Sequence, residues 1–250
     1  MKVINAVYEC INDKYFSNSL QKIERIARIC YKSEDKITED SYKKMTKALM
    51  DRQHLAMFEH ASLVFEVDEA TFESVEIAIN AITTMTNVHE YAEIVNLCRI
   101  HRTRTWLNDY EERFIISANI RAFYEFFVQA AKFKVHTDRL ASVYWKVNSL
   151  VDYLFDIPEY GTHAITEHIN EITDFTGLTD NERLIHETFT VIFTCDRGVT
   201  HELVRMRDSS FAQESTRYCN YQLGKFGNEI TVIKPCFWDV DSKQYGITAV

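Results

Sequence analysis

Residues 195–221 read CDRGVTHELVRMRDSSFAQESTRYCNY, a stretch that gathers Arg205, Arg207 and Arg217 in a chain of formal net charge −9. Ser209, Ser210, Gln213 and Glu214 lie between these arginines, and Ser215 stands eight positions after Arg207. Arginine's planar fork pairs bidentately with phosphate and carboxylate, so converging arginines in an acidic protein point to an anionic small ligand. A solvated charged loop after a helix would also account for a basic run of this length. Ser215 has no activating base beside it, because the only close histidine, His201, lies upstream on a predicted helix. Ligand binding therefore suits Ser215 better than nucleophilic attack.

The 250 residues suffice for one large domain or a domain with an insertion. Hydrophobic residues make up 46%, which excludes a disordered chain, and only 2 prolines and 6 glycines favour helix over long loops. With 28 basic against 37 acidic residues, a nucleic-acid backbone is a poor partner. No apolar run reaches membrane-spanning length, and MKVINAVYECINDKYF at the N-terminus lacks a signal-peptide pattern, so the expected location is cytoplasmic. The 6 cysteines form no CxxC pair and are expected to be reduced and mostly buried.

Outward from the arginine segment, residues 188–195 carry strand formers, as do residues 61–67, where Leu63, Phe65 and Val67 alternate. Residues 19–31 place Leu20, Ile23, Ala27 and Cys30 on one helical face with Ser19 as the cap, and Thr38 is expected to cap a second helix burying Met45, Ala48 and Leu49. TFESVEIAINAITTM (71–85), ANIRAFYEFFVQAAKF (118–133) and RLASVYWKVNSLVDYLF (139–155) all show helical apolar spacing. Between 156 and 180 the chain is more polar, with turn signals at Pro158, Gly161 and Gly177.

Three further groups have candidate chemistry. His54 and His60 are six apart, which is not helical metal-ligand spacing, so no metal site is expected; Glu59 and His60 are expected to tie a helix end to the following strand. Asn119 and Arg121 sit in SANIRAFYEFF, which by itself reads as an amphipathic core helix with Ile120, Phe123, Tyr124 and Phe127 inward. CRIHRTRTW (98–106) is a second basic run, read as a helix end or loop, and Arg197 before Gly198 suggests a turn or an ion pair.

Arg205-Met206-Arg207, seven residues, then Ser215 resembles the signature Arg-His-Arg-x7-Ser of the flavin-dependent thymidylate synthases, with Met206 in place of the histidine. The flanks HELVR and QESTRYCNY, the segment RQHLAMFEHASLVFEV (52–67) and SANIRAFYEFF (117–127) are also similar to that family. The resemblance implies an α+β fold, a central sheet with packed helices. It further implies one domain over 1–250, a mainly helical insertion at about 68–187, and a C-terminus short relative to the family.

The implied reaction is methylation of dUMP to dTMP, with methylenetetrahydrofolate as carbon donor and FAD, reduced by NADPH, as hydride donor. Arg205, Arg207 and Ser215 would be catalytic. His54, Asn119, Arg121, Arg205, Met206, Arg207 and Gln213 would bind the flavin. Glu202, Gln213, Glu214, Ser215, Thr216, Arg217 and Tyr218 would bind the nucleotide. A thioether at 206 can pack against a flavin but donates no hydrogen bond, unlike an imidazole. The resemblance also implies a homotetramer with sites between subunits. A non-catalytic nucleotide- or flavin-binding paralogue, or one part of a split enzyme, is the alternative.

Overall fold

Leu20, Ile23 and Ala27 recur at helical spacing, and all three are buried along α1 (Ser19–Tyr31), whereas Cys30 is only half-buried. The cap is Asn18, whose Oδ1 accepts from the Gln21 N–H at 3.0 Å, and Ser19 is the first helical residue. This computed structural model describes residues 2–11, 16, 18–86, 99–161, 164–206, 209–215, 219, 224 and 230–235. The chain divides into two compact units, and the division falls within α1.

The larger unit comprises Phe16–Ile26 and Asp35–Thr188. Its α2 (Ser41–Asp51) begins after Asp40, so Thr38 is not the cap; Ser41 Oγ instead bonds the Thr38 backbone N–H at 2.8 Å. Tyr42, Thr46, Leu49 and Met50 are its buried residues, while Met45 and Ala48 are half-buried. A 3-10 turn at Leu55–His60 leads into β3 (Ser62–Val67). Helix α3 (Glu69–Met85) follows, its first turn capped by the Asp68 side chain on the Thr71 N–H.

Within the second basic run, residues 101–106 are neither helix end nor loop. They lie in β4 (His101–Asn108), which pairs antiparallel with β5 (Glu111–Asn119). The span at about 68–187, with helices α4 (Ile120–Lys132) and α5 (Asp138–Leu150), therefore also contains a hairpin. β5 continues the ladder onto β3, and β3 takes β6 (Ile169–Glu171) on its other edge, giving an antiparallel sheet in the order β4-β5-β3-β6. Phe114–Ala118 are buried without alternation, as expected of a central strand covered on both faces.

Aromatic rings link this sheet to the helices. Phe65 of β3 meets Phe123 of α4 at 5.9 Å, Phe123 stacks on Phe127, and Phe127 meets Tyr144 of α5 edge-on at 5.3 Å. Tyr144 then stacks on Tyr160 at 4.5 Å. Ile120, Phe123 and Phe127 are buried as their spacing predicts, and Tyr124 is half-buried. Pro158 opens a 3-10 turn that Gly161 closes at φ 68°, a left-handed backbone that glycine adopts without strain. Helix α6 (Asp180–His186) ends the unit, begun by a reciprocal cap between Thr179 and Glu182.

The smaller unit comprises Met1–Tyr15, Ala27–Glu34 and Phe189–Val250. In it β1 (Lys2–Ile4) runs parallel to β8 (Thr231–Ile233), and β2 (Val7–Ile11) pairs antiparallel with β7 (Thr190–Thr194). Helix α7 (Arg197–Leu203) follows β7. The whole is an α+β fold of sheets and packed helices.

Candidate functional site

Asp196 decides how the arginine segment begins. Its side chain accepts the Val199 N–H at 3.1 Å, so CDRG opens α7 rather than making a turn, and Arg197 is the first helical residue. Gly198 lies under that cap, where a Cβ would approach the Asp196 carboxylate to 3.0 Å. With Val199, Glu202, Leu203 and Met206, Gly198 lines a shallow, open, mainly apolar depression.

Past the helix end, Arg205 is mostly exposed, and its Nη1 reaches Glu202 Oε2 at 2.9 Å. Met206 beside it is 56% exposed, far more than an apolar side chain in a core. Arg207, Thr216, Arg217 and Tyr218 lie outside the described residues.

The loop 211–215 is held by two different elements. Gln213 Nε2 donates to Thr200 Oγ1 of α7 at 2.7 Å. The Gln213 backbone N–H bonds the Cys30 thiol at the end of α1, and the Ser215 N–H donates to the Cys30 carbonyl at 3.0 Å. Burial pushes the Cys30 thiol above its ordinary pKa, against that hydrogen bond, so it is a packing group and not a ready nucleophile. Ser215 in turn accepts the Cys219 N–H on its carbonyl at 2.9 Å. Its hydroxyl has no histidine partner among the described hydrogen bonds.

In the larger unit, the residues expected to meet a flavin have mixed settings. His54 is exposed and precedes the 3-10 turn. Asn119 caps α4, its side chain accepting the Ala122 N–H at 2.8 Å. Arg121 donates to Glu59 Oε1 and to Glu125 Oε1, each at 2.7 Å. Burial opposes its charge, but the bonds to Glu125 and Glu59 outweigh this and hold the guanidinium above its ordinary pKa. Glu59 also takes Arg99 at 2.6 Å, so it ties the start of the hairpin and α4 to the 3-10 turn.

The second basic run is neutralised by glutamates. Arg102 faces Glu76 at 3.7 Å, and Arg104 pairs with Glu69 at 3.4 Å and with Glu112. No group of three His, Cys, Asp or Glu side chains is arranged to hold a metal ion among the described residues. Among those residues, no helix is long and apolar enough to cross a membrane.

Within the smaller unit the structure thus brings together Glu202 with Arg205, and Gln213 with Thr200. Two contributors escape the sequence reading. Thr200 carries no motif of its own, although it shares α7 with Glu202. Cys30 acts partly through its carbonyl, which no residue type encodes.

No curated protein and no solved structure is significantly similar to this chain. The sequence pattern of the family described as thymidylate synthase complementing protein matches residues 14–78 and 158–246, more than half of the chain, and leaves 79–157 unmatched. The second matched segment contains the arginines, Gln213 and Ser215, and the first contains His54 and Glu59. The chain belongs to the thymidylate synthase complementing protein family, the flavin-dependent thymidylate synthases.

Proposed function

We propose that this protein methylates dUMP to dTMP with methylenetetrahydrofolate as carbon donor and FAD, reduced by NADPH, as hydride source. The observation that carries the reading is the exposed guanidinium of Arg205 beside the exposed thioether of Met206, at the rim of an open apolar depression. An apolar depression of this kind suits a flat ring, a polarizable thioether packs well against one, and a solvent-facing guanidinium suits an anion. These residues fit FAD, which joins a flat ring system to a diphosphate. When bound, FAD supplies the hydride chemistry that no side chain here can perform.

The chain's own part is binding and orientation. Arg205 bridges flavin and nucleotide, Arg207 and Met206 contact the flavin, and Ser215 with Arg217 holds the nucleotide phosphate. Gln213 and Glu214 address the pyrimidine and ribose, with Glu202, Thr216 and Tyr218 around them. His54, Asn119 and Arg121 would meet the flavin of a site between subunits of the assembly, where Arg121 would exchange a glutamate for the cofactor. The proposed assembly is a cytoplasmic homotetramer with sites between subunits. We also propose one synthase-like domain in which about 68–187 is an insertion; the unmatched 79–157 lies inside it.

Tritium release from 5-tritiated dUMP, measured with FAD, NADPH and methylenetetrahydrofolate, tests the reading. Release with dTMP formation is expected. Binding of flavin and dUMP without release would leave the second reading, a non-catalytic paralogue or part of a split enzyme. Met206 in place of an imidazole donor favours that alternative. A Met206→His variant that gained turnover would support it, and one that lost turnover would overturn it.

A further inference from the structure

The Thr200 hydroxyl has one hydrogen, and it goes to the Arg197 carbonyl at 3.0 Å. Its oxygen is therefore an acceptor toward Gln213, and the group it meets at 2.7 Å must be the amide nitrogen. This fixes the direction of the Gln213 amide. With the nitrogen held by Thr200, the carbonyl oxygen is left to accept a hydrogen bond. The Gln213 main chain is held independently by the Cys30 thiol, and Ser215 two residues on by the Cys30 carbonyl, so the amide cannot turn over by shifting the loop.

An amide carbonyl held as an acceptor matches the N–H of an imide, which is flanked by carbonyl oxygens. Uracil has that edge. Cytosine does not: its ring nitrogen accepts and its exocyclic amine donates, so it pairs with the amide turned the other way.

We propose that Thr200 is the specificity-determining residue of the nucleotide site, locking Gln213 as an acceptor so that uracil nucleotides are chosen over cytosine nucleotides. The inference rests on the proposed function, in which Gln213 addresses the pyrimidine. Thr200 touches no ligand and acts only through Gln213, so it is a positioning residue.

The test is equilibrium binding of dUMP and dCMP to the full chain, with FAD present, for wild type, Thr200→Val, Thr200→Ser and Gln213→Leu. Wild type is expected to prefer dUMP by about tenfold or more, the size of one well-directed base contact. Thr200→Val should reduce that preference about tenfold, and Thr200→Ser, which keeps the hydroxyl, should restore it. In the Gln213→Leu background Thr200→Val should add nothing, which a merely structural threonine would not reproduce.

An unchanged preference in Thr200→Val overturns this inference and leaves the proposed function standing. Absence of any dUMP binding by wild type brings down the proposed function, and this inference with it. Should Thr200→Val fail to fold, Gln213→Leu decides alone, and a preference that survives in it overturns the assignment.

Discussion

Arg121 Nη1 lies 2.7 Å from Glu59 Oε1, while the other oxygen of that carboxylate holds Arg99 at 2.6 Å. One glutamate, mostly buried, thus joins two guanidiniums that come from opposite ends of the β4–β5 hairpin region. Removing it leaves two partly buried cations without their shared counter-charge, a costlier change than losing a surface ion pair. Glu59→Ala is expected to lower stability by about 1–2 kcal/mol, discounted for the partial exposure of both arginines. A thermal melt should show Tm down by a few degrees, and an unchanged Tm would refute the bridging role.

The opposite behaviour is expected of Arg205, whose Glu202 partner is as exposed as itself. Arg205→Ala should leave Tm within about 1 °C, since exposed pairs contribute little. Flavin and dUMP affinity should nevertheless fall by about tenfold or more, because the exposed guanidinium can turn from Glu202 to a bound anion. Calorimetric titration beside the melt separates the two effects. A stability loss without a binding loss would remove Arg205 from the site.

His186 gives a pH prediction. It is buried, with Nε2 at 2.8 Å from Thr103 Oγ1 of β4 and Nδ1 at 2.7 Å from Ser117 Oγ of β5. Burial first, then His101 nearby, depress its pKa to about 4, against the pull of Glu182. Because the folded state holds the ring neutral, the unfolded chain binds the extra proton as pH falls below about 6.5. Stability is therefore complete above about pH 6.5 and declines toward pH 4, by about 3 kcal/mol, and His186→Gln should flatten that slope. Urea midpoints at pH 7, 6 and 5 measure it; equal slopes in both proteins would refute the assignment.

Phe127 is fully buried and touches the rings of Phe123, Phe126, Tyr144 and Tyr160. Phe127→Ala should cost about 3–5 kcal/mol through the cavity it leaves, and lower Tm by about 10 °C. Phe127→Leu, which keeps most of the volume, should cost clearly less.

The helices were legible because their apolar residues repeat at a period near 3.6, as in α4, whose Ile120, Phe123 and Phe127 all reach the core. The hairpin was not. Its outer strand carries Arg102 and Arg104, whose charges are matched by glutamates from α3 and β5, so HRTRTW has the composition of a basic loop. Its inner strand is buried on both faces and shows no alternation. Helix starts slipped for a similar reason: Ser19 and Thr38 are good cap residues, but Asn18 and Asp40 occupy the positions where the backbone turns.

The site divides along the same line. The order of Arg205, Arg207 and Ser215 is a pattern, and patterns are readable from residues alone. The orientation of the Gln213 amide depends on one hydroxyl of α7, and the Ser215 main chain on a carbonyl at Cys30, and neither leaves a mark in composition or spacing.

The place of β5 in the sheet bears on how this chain could be shortened. β3 and β6 both lie in segments that match the family, but β5, from the unmatched segment, occupies the whole of one β3 edge from Ser62 to Val67. β6 covers only Phe65 to Val67 on the other. Excising 79–157 would leave a bare, apolar strand edge, open to pairing with other chains. It would also strip His186 of both its hydroxyl partners. A trimmed protein is therefore expected to aggregate rather than fold to a smaller form, so the segment that the family pattern leaves unmatched is also one that the chain cannot shed.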